Sequence, residues 1–475
     1  MTKLLHSRQQ IGFYSGIVLF LVILLMPQPA TMSDAAQCVA AVAALMATWW
    51  ITEAIPLAVT ALLPIVLFPA LDVMSVSAAT APYANHIIFL FLGGFLIALS
   101  IERWNLHKRI ALYTIYLIGH SPKRILLGFI LATAFLSMWI SNTATALMML
   151  PVALAVIKNI DNSGESIFGM TLMLGIAYAA SIGGVATIIG TPPNAILAGV
   201  LEQQTGVSIS FFDWMVFALP LAAIFLLMAW AYLCILQRKE HIKLESVEHS
   251  FIVNELQQLG KITTEEKKVL AVFSLVAIGW ITRGFIDIEL FKQIKDSTIA
   301  IIGAILLFII PANNNTTRLM DWETAKKLPW DILILFGGGF ALALGFSESE
   351  LTHWLGNQLN FLQGIHTVVI IAVVSLLVIF LTEITSNTAT ASLLIPLMVA
   401  LSDTLNLPPM YLMVTVAIAA SYAFMLPVAT PPNAIVYSSR CVTIQQMART
   451  GFLLNIAGCL LITLFVTQYL PMIFL

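Results

Sequence analysis

Long apolar stretches separated by short polar segments run along nearly the whole chain. A helix needs about 20 apolar residues to cross a hydrocarbon layer about 30 Å thick. The stretches that meet or approach this length are 11–27, 37–52, 54–71, 84–105, 168–200, 212–236, 266–283, 297–311, 329–346, 410–437 and 450–474. The pattern therefore predicts an all-α polytopic membrane protein with about 11 transmembrane helices.

Two further apolar stretches have a different form. The first, bracketed by Arg124 and Lys158, is too long for one straight span, and each of its halves is too short for a full crossing at about 1.5 Å per residue. We therefore expect a re-entrant hairpin at about 124–158, with its tip at the Ser-Asn-Thr string near the middle. A second hairpin is expected at about 364–402, with the same string at its middle and a single charge, Glu383.

The charge distribution supports this count. With the N-terminus in the cytoplasm and both stretches treated as hairpins, every Lys and Arg falls on the cytoplasmic side except Arg283, Lys292 and Lys295. Positive residues favour that side of short loops. We therefore expect a multi-pass protein of the inner (plasma) membrane with a cytoplasmic N-terminus and an extracytoplasmic C-terminus. Lys3 and Arg8 before the first apolar run also fit a cleaved signal peptide, but the many later spans favour a first helix that serves as its own signal.

Composition excludes several classes of protein. The chain is 60% hydrophobic and 10% charged, whereas a soluble domain is about 25% charged. Its net charge of -2 gives no sign of a nucleic-acid partner, and its four cysteines have neither CxxC nor CxxH spacing. The HExxH, Walker A and GxSxG motifs are absent, and no organic cofactor is indicated. We expect the lipid bilayer to surround the apolar part of the chain.

Polar strings recur inside the apolar sequence. Ser-Asn-Thr-Ala-Thr occurs at 141–145 and 386–390, and Thr-Pro-Pro-Asn occurs at 191–194 and 430–433. The halves would start on opposite sides of the membrane, which predicts an inverted-topology repeat with a site at the midplane. The predicted organisation is an N-terminal helix (1–36), a first repeat (37–236), a cytoplasmic amphipathic linker (237–265) and a second repeat (266–475).

The repeated strings suit ion and anion binding. Two adjacent prolines remove backbone donors, so the spans 168–200 and 410–437 should break at 190–194 and 429–433. A break exposes carbonyl groups, which suit a hard cation such as Na⁺, and a new helix N-terminus, which suits an anion. An asparagine can give its oxygen to a cation and its NH₂ group to a carboxylate. Because the strings contain no Lys, Arg or His, anion binding would depend on the cation, which is the basis of symport.

Other interpretations remain open at this point. Asn and Thr can form interhelical hydrogen bonds, although the pairing of two tips with two breaks favours a site. Glu383 can accept hydrogen bonds from loop amides or bind a cation. The pair Gly93-Gly94 and the run Gly337-Gly338-Gly339 are expected to allow close helix packing. A membrane enzyme is disfavoured because the spans hold no paired nucleophile and base, and a channel because hairpins and broken helices fit an occluding site.

These paired Ser-Asn-Thr and Thr-Pro-Pro motifs closely resemble the divalent anion/sodium symporter family, from roughly residue 37 to the C-terminus. The resemblance implies a homodimer that imports C4 dicarboxylates (succinate, malate, fumarate) with Na⁺ by an elevator-type motion. The scaffold would comprise spans within 11–118 and 266–346, and the transport domain 124–236 and 364–475. The alternatives are a sodium-independent electroneutral exchanger, or a transporter of another divalent anion such as citrate or sulfate.

The same resemblance assigns residues to the site. It implies Na⁺ ligands at Ser137, Ser141, Asn142, Gly190, Thr382, Thr385, Asn387 and Ala429. It implies substrate contacts at Ser141, Asn142, Thr143, Thr191, Pro192, Ser386, Asn387, Thr388, Thr430 and Pro431.

Overall fold

The computed structural model describes residues 2–119, 121–160, 166–237, 247–285, 293–313 and 317–474. In these residues all secondary-structure elements longer than an isolated β-bridge are helices. In the first half they are α1 (Thr2–Leu25), α2 (Asp34–Thr52), α3 (Leu57–Thr60), α4 (Leu63–Ala70), α5 (Val76–Thr80), α6 (His86–Arg103), α7 (Leu106–Ile118), α8 (Pro122–Ser137), α9 (Asn142–Ile160), α10 (Ile167–Val185), α11 (Pro192–Thr205) and α12 (Phe211–Gln237). After them come α13 (Val247–Leu259), α14 (Thr264–Thr282), α15 (Asp296–Ile309), α16 (Trp322–Ala325), α17 (Trp330–Glu348), α18 (Leu351–Gln358), α19 (Thr367–Thr382), α20 (Asn387–Leu405), α21 (Pro409–Ala419), α22 (Pro431–Ser438), α23 (Ile444–Leu464) and α24 (Leu470–Phe474). The predicted all-α class is confirmed.

Eight helical segments in the described ranges are long and apolar enough to cross a membrane. They are Ser7–Leu25, Asp34–Thr52, Val76–Arg103, Ile167–Val185, Phe211–Gln237, Trp330–Glu348, Asn387–Leu405 and Ile444–Phe474. The predicted span 54–71 is instead divided into α3 and α4, and Pro64 lies in the first turn of α4. The predicted span 266–283 forms one helix, α14, but its first turn carries Glu265 and Glu266. The count of about 11 spans therefore stays a prediction.

Helix breaks occur at all four repeated strings. The stretch 168–200 is divided between α10 and α11, and 410–437 between α21 and α22, which confirms the breaks expected at the paired prolines. The first hairpin stretch is divided into α8 and α9, and the second into α19 and α20, with Asn142 and Asn387 as the first residues after the two turns. A return of both hairpin arms to one face of the membrane, the inverted repeat and the domain bounds stay predictions.

The predicted linker 237–265 contains α13, whose C-terminal end is fixed to the membrane helices. Arg109 of α7 donates to the carbonyl oxygens of Leu259 at 3.2 Å and Gly260 at 2.9 Å, and its Nε lies 2.9 Å from a carboxylate oxygen of Glu266. A guanidinium at a helix C-terminus interacts favourably with the helix dipole. Residues 238–246 of the linker lie outside the described residues, as does Lys292.

Close packing at the predicted glycines is confirmed. A methyl group built on Gly93 of α6 would lie 2.6 Å from the backbone carbon of Ala300 in α15, and one on Gly338 of α17 would lie 2.4 Å from the carbonyl oxygen of Ala61. Both distances are far below van der Waals contact. The backbones of these helices therefore approach as closely as they do only because the side chains are missing.

Replacing Gly93 by alanine is expected to destabilise the protein by about 1–3 kcal/mol, because α6 and α15 must move apart to admit the methyl group. The measurement is the thermal unfolding midpoint of the purified protein in detergent. Gly284→Ala is the matched control, since a methyl group there meets no atom of the described residues within 4 Å. Equal midpoints for the two variants would contradict the packing argument.

Candidate transport site

The first Ser-Asn-Thr tip is held against the middle of the chain's first half by hydrogen bonds. Ser137, the last residue of α8, donates from Oγ to the carbonyl oxygen of Ala180 in α10 at 2.6 Å. Its Oγ also lies 2.5 Å from the amide of Asn142, the first residue of α9. Ser141 Oγ accepts from the backbone N–H of Ala144 at 3.2 Å, as an N-cap serine does. The tip is therefore a capped helix start joined to a neighbouring helix.

The Asn142 amide faces a ring of oxygen atoms. Its Oδ1 position is 2.5 Å from Ser137 Oγ, 3.2 Å from Ala180 O and 3.3 Å from Gly190 O, and two of these neighbours are carbonyl oxygens that can only accept. With Oδ1 turned inwards, these oxygens have too few protons between them. With the amide rotated, its nitrogen donates to the same atoms. The predicted ligands Ser137, Asn142 and Gly190 are thus brought together.

Glycine is required at this cluster. A methyl group on Gly184 would lie 2.6 Å from Asn142 Oδ1, and one on Gly190 would lie 2.3 Å from the carbonyl oxygen of Gly184. The last turn of α10 therefore touches the end of the first break directly.

The second tip has the same hydroxyl and capping contacts as the first. Thr382, the last residue of α19, has its Oγ1 2.7 Å from Asn387 Oδ1 and 3.0 Å from the carbonyl oxygen of Ala420. Ser386 caps α20 by accepting from the N–H of Ala389. The Thr385 hydroxyl lies 2.8 Å from Leu381 O and 2.7 Å from Thr390 Oγ1, and its role as a Na⁺ ligand stays a prediction.

Each helix break is fastened by the asparagine that follows its prolines. Asn194 Nδ2 donates to the carbonyl oxygens of Val185 and Thr187 at 3.1 and 2.8 Å. Asn433 Nδ2 donates to those of Ala423 and Leu426, both at 3.0 Å. Each amide therefore joins the start of the helix after the break to carbonyl groups before and within the break. Neither asparagine was a predicted site residue, although both stand in the repeated string.

The two halves meet at the breaks. Thr191, which precedes α11, has its Oγ1 3.5 Å from Ser421 Oγ, just after α21. Thr430 Oγ1 caps α22 by accepting from the N–H of Asn433 at 3.2 Å. Thr191 and Thr430 are buried, whereas all six residues of the Ser-Asn-Thr tips are half-buried: Ser141, Asn142, Thr143, Ser386, Asn387 and Thr388. The tips thus keep an accessible side among apolar neighbours.

Exposure differs between the two breaks. Val428, two residues before Thr430, is 65% exposed, whereas Ile189, two residues before Thr191, is 8% exposed. Pro431 is exposed and Pro192 is half-buried. The two breaks therefore have similar asparagine hydrogen bonds in unequal surroundings.

Glu383 follows the loop-amide alternative raised by the sequence. It is 3% exposed and accepts from the backbone N–H groups of Phe424, Met425 and Leu426 at 2.7, 2.9 and 3.0 Å. Asn455 of α23 donates to it from Nδ2 at 2.7 Å.

Three groups that contact the candidate site residues were not predicted from the sequence. They are the carbonyl groups of Ala180 and Ala420 and the amide of Asn455. The first two had a signal, since the string Ala-Ala-Ser recurs at 179–181 and 419–421.

A cavity of about 620 Å³ reaches the first tip. Its lining includes Ile140, Ala144 and Thr145, which lie next to the Ser-Asn-Thr string. It also includes charged and titratable side chains from α6, α7 and α13: Glu102, His107, Lys108 and Glu255. Lys108 Nζ and a Glu255 carboxylate oxygen are 3.0 Å apart.

On another side of the molecule, Glu202 at the end of α11 is held by two residues from neighbouring segments. One carboxylate oxygen lies 2.7 Å from His86 Nε2, and the other 2.7 Å from Lys295 Nζ. Burial alone would raise the pKa of Glu202. The bonds to Lys295 and His86 outweigh burial and hold this pKa below its usual value. The ion pair joins α11 to α6 and to the segment before α15.

Comparisons with known proteins agree with this architecture. The sequence of the crystallised YdaH transporter of Alcanivorax borkumensis is 13% identical, with a TM-score of 0.60 over 99% of this chain and 98% of that one. MtrF of Neisseria gonorrhoeae, described as illuminating a class of antimetabolite efflux pumps, has a TM-score of 0.58 at 15% identity over 98% of each chain. At these identities the likeness concerns the fold alone.

Sequence relatives are much closer. The sodium-dependent dicarboxylate transporter SdcS of Staphylococcus saprophyticus is 46% identical over 475 residues, covering 98% of this chain and 92% of its own. SdcS of Staphylococcus aureus strain USA300 is 46% identical over 483 residues, covering 99% and 93%. The sequence model of the sodium:sulfate symporter transmembrane region matches residues 8–475. The resemblance found in the paired motifs is thereby confirmed, and the chain belongs to the sodium:sulfate symporter family of multi-pass membrane transporters.

Proposed function

We propose that this protein is a Na⁺-coupled transporter that imports C4 dicarboxylates such as succinate, malate and fumarate. The observation that carries the proposal is the pair of Ser-Asn-Thr tips, each with a serine or threonine hydroxyl that contacts both the asparagine amide and a backbone carbonyl group. The printed names of the relatives, sodium-dependent dicarboxylate transporters, support the same cargo.

The coupling ion is Na⁺, bound once in each half. In the first half the ligands are Ser137, Ser141, Asn142 and Gly190, and in the second Thr382, Thr385, Asn387 and Ala429. The proximity of Ser137 Oγ and the Gly190 carbonyl oxygen to the Asn142 amide supports the first set, because hard cations take oxygen ligands. In the second set Asn387 already meets Thr382, and Ala429 is buried beside the second break.

The substrate lies between the two tips. Its carboxylates meet Ser141, Asn142 and Thr143 at one end and Ser386, Asn387 and Thr388 at the other, with Thr191-Pro192 and Thr430-Pro431 alongside. Each asparagine gives its oxygen to Na⁺ and its NH₂ group to a carboxylate. Because the donors are neutral, a dianion is held well only when Na⁺ is bound, and this dependence couples the two cargoes.

Transport proceeds by an elevator-type movement of 124–236 and 364–475 against a scaffold formed by spans within 11–118 and 266–346, in a homodimer. In the predicted topology the 620 Å³ cavity opens to the cytoplasm, and the ion pairs of Glu202 with His86 and Lys295 lie on the outer side. An open inner cavity and a fastened outer side describe an inward-facing state. The N-terminus is cytoplasmic and the C-terminus extracytoplasmic, in the inner membrane.

The test is uptake of labelled succinate into proteoliposomes with and without an inward Na⁺ gradient. Uptake that requires the gradient supports symport. Uptake that requires internal dicarboxylate but no Na⁺ identifies an exchanger instead, and selective uptake of citrate or sulfate identifies another dianion as the cargo. Chemical conversion of succinate by the purified protein would indicate an enzyme.

We further propose a third Na⁺ bound outside the two tips, and with it an inside-negative membrane potential is expected to accelerate this uptake. A dianion carried with two Na⁺ moves no net charge, whereas three Na⁺ carry one positive charge inwards, worth about 2.3 kcal/mol per 100 mV. The measurement compares initial rates with and without a potential imposed by valinomycin and a K⁺ gradient. Rates indifferent to the potential would instead favour electroneutral coupling or exchange.

A further inference from the structure

We infer that Glu383 is a positioning residue for the second Na⁺ site, an inference that rests on the proposed Na⁺ coupling. Glu383 touches neither Asn387 nor the proposed substrate in the hydrogen-bond network. It instead holds the backbone of the second helix break, and the break presents the Ala429 carbonyl. Its carboxylate accepts four hydrogen bonds, three of them from consecutive backbone N–H groups, at a buried position.

The connection from Glu383 to the site is short. Glu383 Oε2 accepts from the N–H of Leu426, and the Leu426 carbonyl oxygen accepts from the N–H of Ala429 at 3.2 Å and from Asn433 Nδ2 at 3.0 Å. Thr382, directly before Glu383 in the chain, binds Asn387. One side chain therefore fixes the distance between the two parts that supply the proposed ligands.

The first half reaches the same arrangement with a different pair of residues. Met138 corresponds to Glu383, and Thr187 corresponds to Leu426. Thr187 Oγ1 donates to the backbone oxygen of Met138 at 2.6 Å, while the Thr187 carbonyl oxygen accepts from the N–H of Gly190 at 3.4 Å and from Asn194 Nδ2 at 2.8 Å. In the first half the side chain that makes the bond belongs to the break residue Thr187, and in the second half it belongs to Glu383 in the tip. In both halves the bond joins the tip to the equivalent residue of the break. Such an exchange is expected when the geometry of the break, and not the charge of the acid, is what the site needs.

The orientation of the backbone N–H groups of the second break depends on the Glu383 carboxylate. A glutamine at 383 would direct an NH₂ group at N–H donors that now find an acceptor, so at least one hydrogen bond is lost and two donors oppose each other. Losing a hydrogen bond to a charged group changes an equilibrium by roughly tenfold or more. We therefore expect Glu383→Gln to raise the half-saturating Na⁺ concentration about tenfold.

The experiment measures Na⁺ binding without transport. Purified protein in detergent is titrated with NaCl against choline chloride at constant ionic strength, without dicarboxylate, and the thermal unfolding midpoint is recorded. A ligand bound only by the folded state stabilises it by RT ln(1 + [L]/Kd), so the half-saturating Na⁺ concentration is the Kd obtained by fitting this relation to the midpoints. Glu266→Gln is the matched control, since Glu266 is a second buried carboxylate bound to Arg109 and not to the breaks. We expect it to lower the midpoint at every Na⁺ concentration and to leave the half-saturating concentration unchanged.

Each outcome decides one question. A Glu383→Gln protein with a lower midpoint but the wild-type half-saturating Na⁺ concentration overturns the positioning role and leaves Na⁺ coupling intact. A wild-type protein that Na⁺ does not stabilise overturns the proposed coupling, and this inference with it. If Glu383→Gln does not fold, Asn455→Ala decides by the same criterion, because it keeps the carboxylate and removes only the donor from α23.

Discussion

Replacing Asn142 or Asn387 by alanine is expected to reduce Na⁺-driven succinate uptake to near background while the protein still folds. Each amide lies at hydrogen-bonding distance from a hydroxyl group, at 2.5 Å from Ser137 and 2.7 Å from Thr382. In the proposed site each amide serves Na⁺ and a carboxylate together. Removing one partner of a buried charged group costs about 1.5–3 kcal/mol, or roughly 10- to 150-fold, and here two charged groups lose a partner.

The measurement is the initial rate of uptake into proteoliposomes at matched protein content, repeated over a range of Na⁺ concentrations. Asn357→Ala is the control, because Asn357 is an exposed asparagine outside both tips. We expect the control to transport normally and the two tip variants to need far more Na⁺ for any residual uptake. Near-normal transport by both tip variants would overturn the assignment of the tips.

The helix breaks and tips could be predicted because their causes are local. A proline removes a backbone donor wherever it stands, and a Ser-Asn-Thr string offers a cap to the helix that follows. The first break nevertheless begins earlier than the prolines, since α10 ends at Val185 and α11 starts only at Pro192. Asn194 stabilises the long turn by donating to two carbonyl groups that precede it in the chain. No periodic pattern of apolar residues marks such a turn in the sequence.

The parts that could not be predicted are long-range and involve backbone atoms. The carbonyl groups of Ala180 and Ala420 complete the two tips, but any residue type carries a carbonyl group. Asn455 meets Glu383 across 72 residues of chain, and no spacing rule relates them. Hydropathy was likewise a poor guide to 54–71, because an apolar composition is shared by one long helix and by the two short helices α3 and α4.

The two-ended site is expected to discriminate strongly between dicarboxylates and monocarboxylates. The tips present matching donor sets, each with an N-capping serine and an asparagine amide. A ligand with an anionic group at each end engages both sets, whereas lactate or acetate leaves the donors of one tip without a partner. Sites built to hydrogen-bond a group reject ligands that lack it, because the unpaired polar groups stay buried.

Excess unlabelled succinate, fumarate or malate should therefore inhibit uptake of labelled succinate, while lactate and acetate should require concentrations about 100-fold higher or more. Succinate monomethyl ester is the sharpest control, because it keeps the length of succinate and removes one charge. If the ester and lactate fail to compete, the selectivity comes from the second carboxylate and not from size. Competition by either one as strong as that of succinate would show that a single tip holds the substrate, and the pairing of Asn142 with Asn387 would then need another explanation.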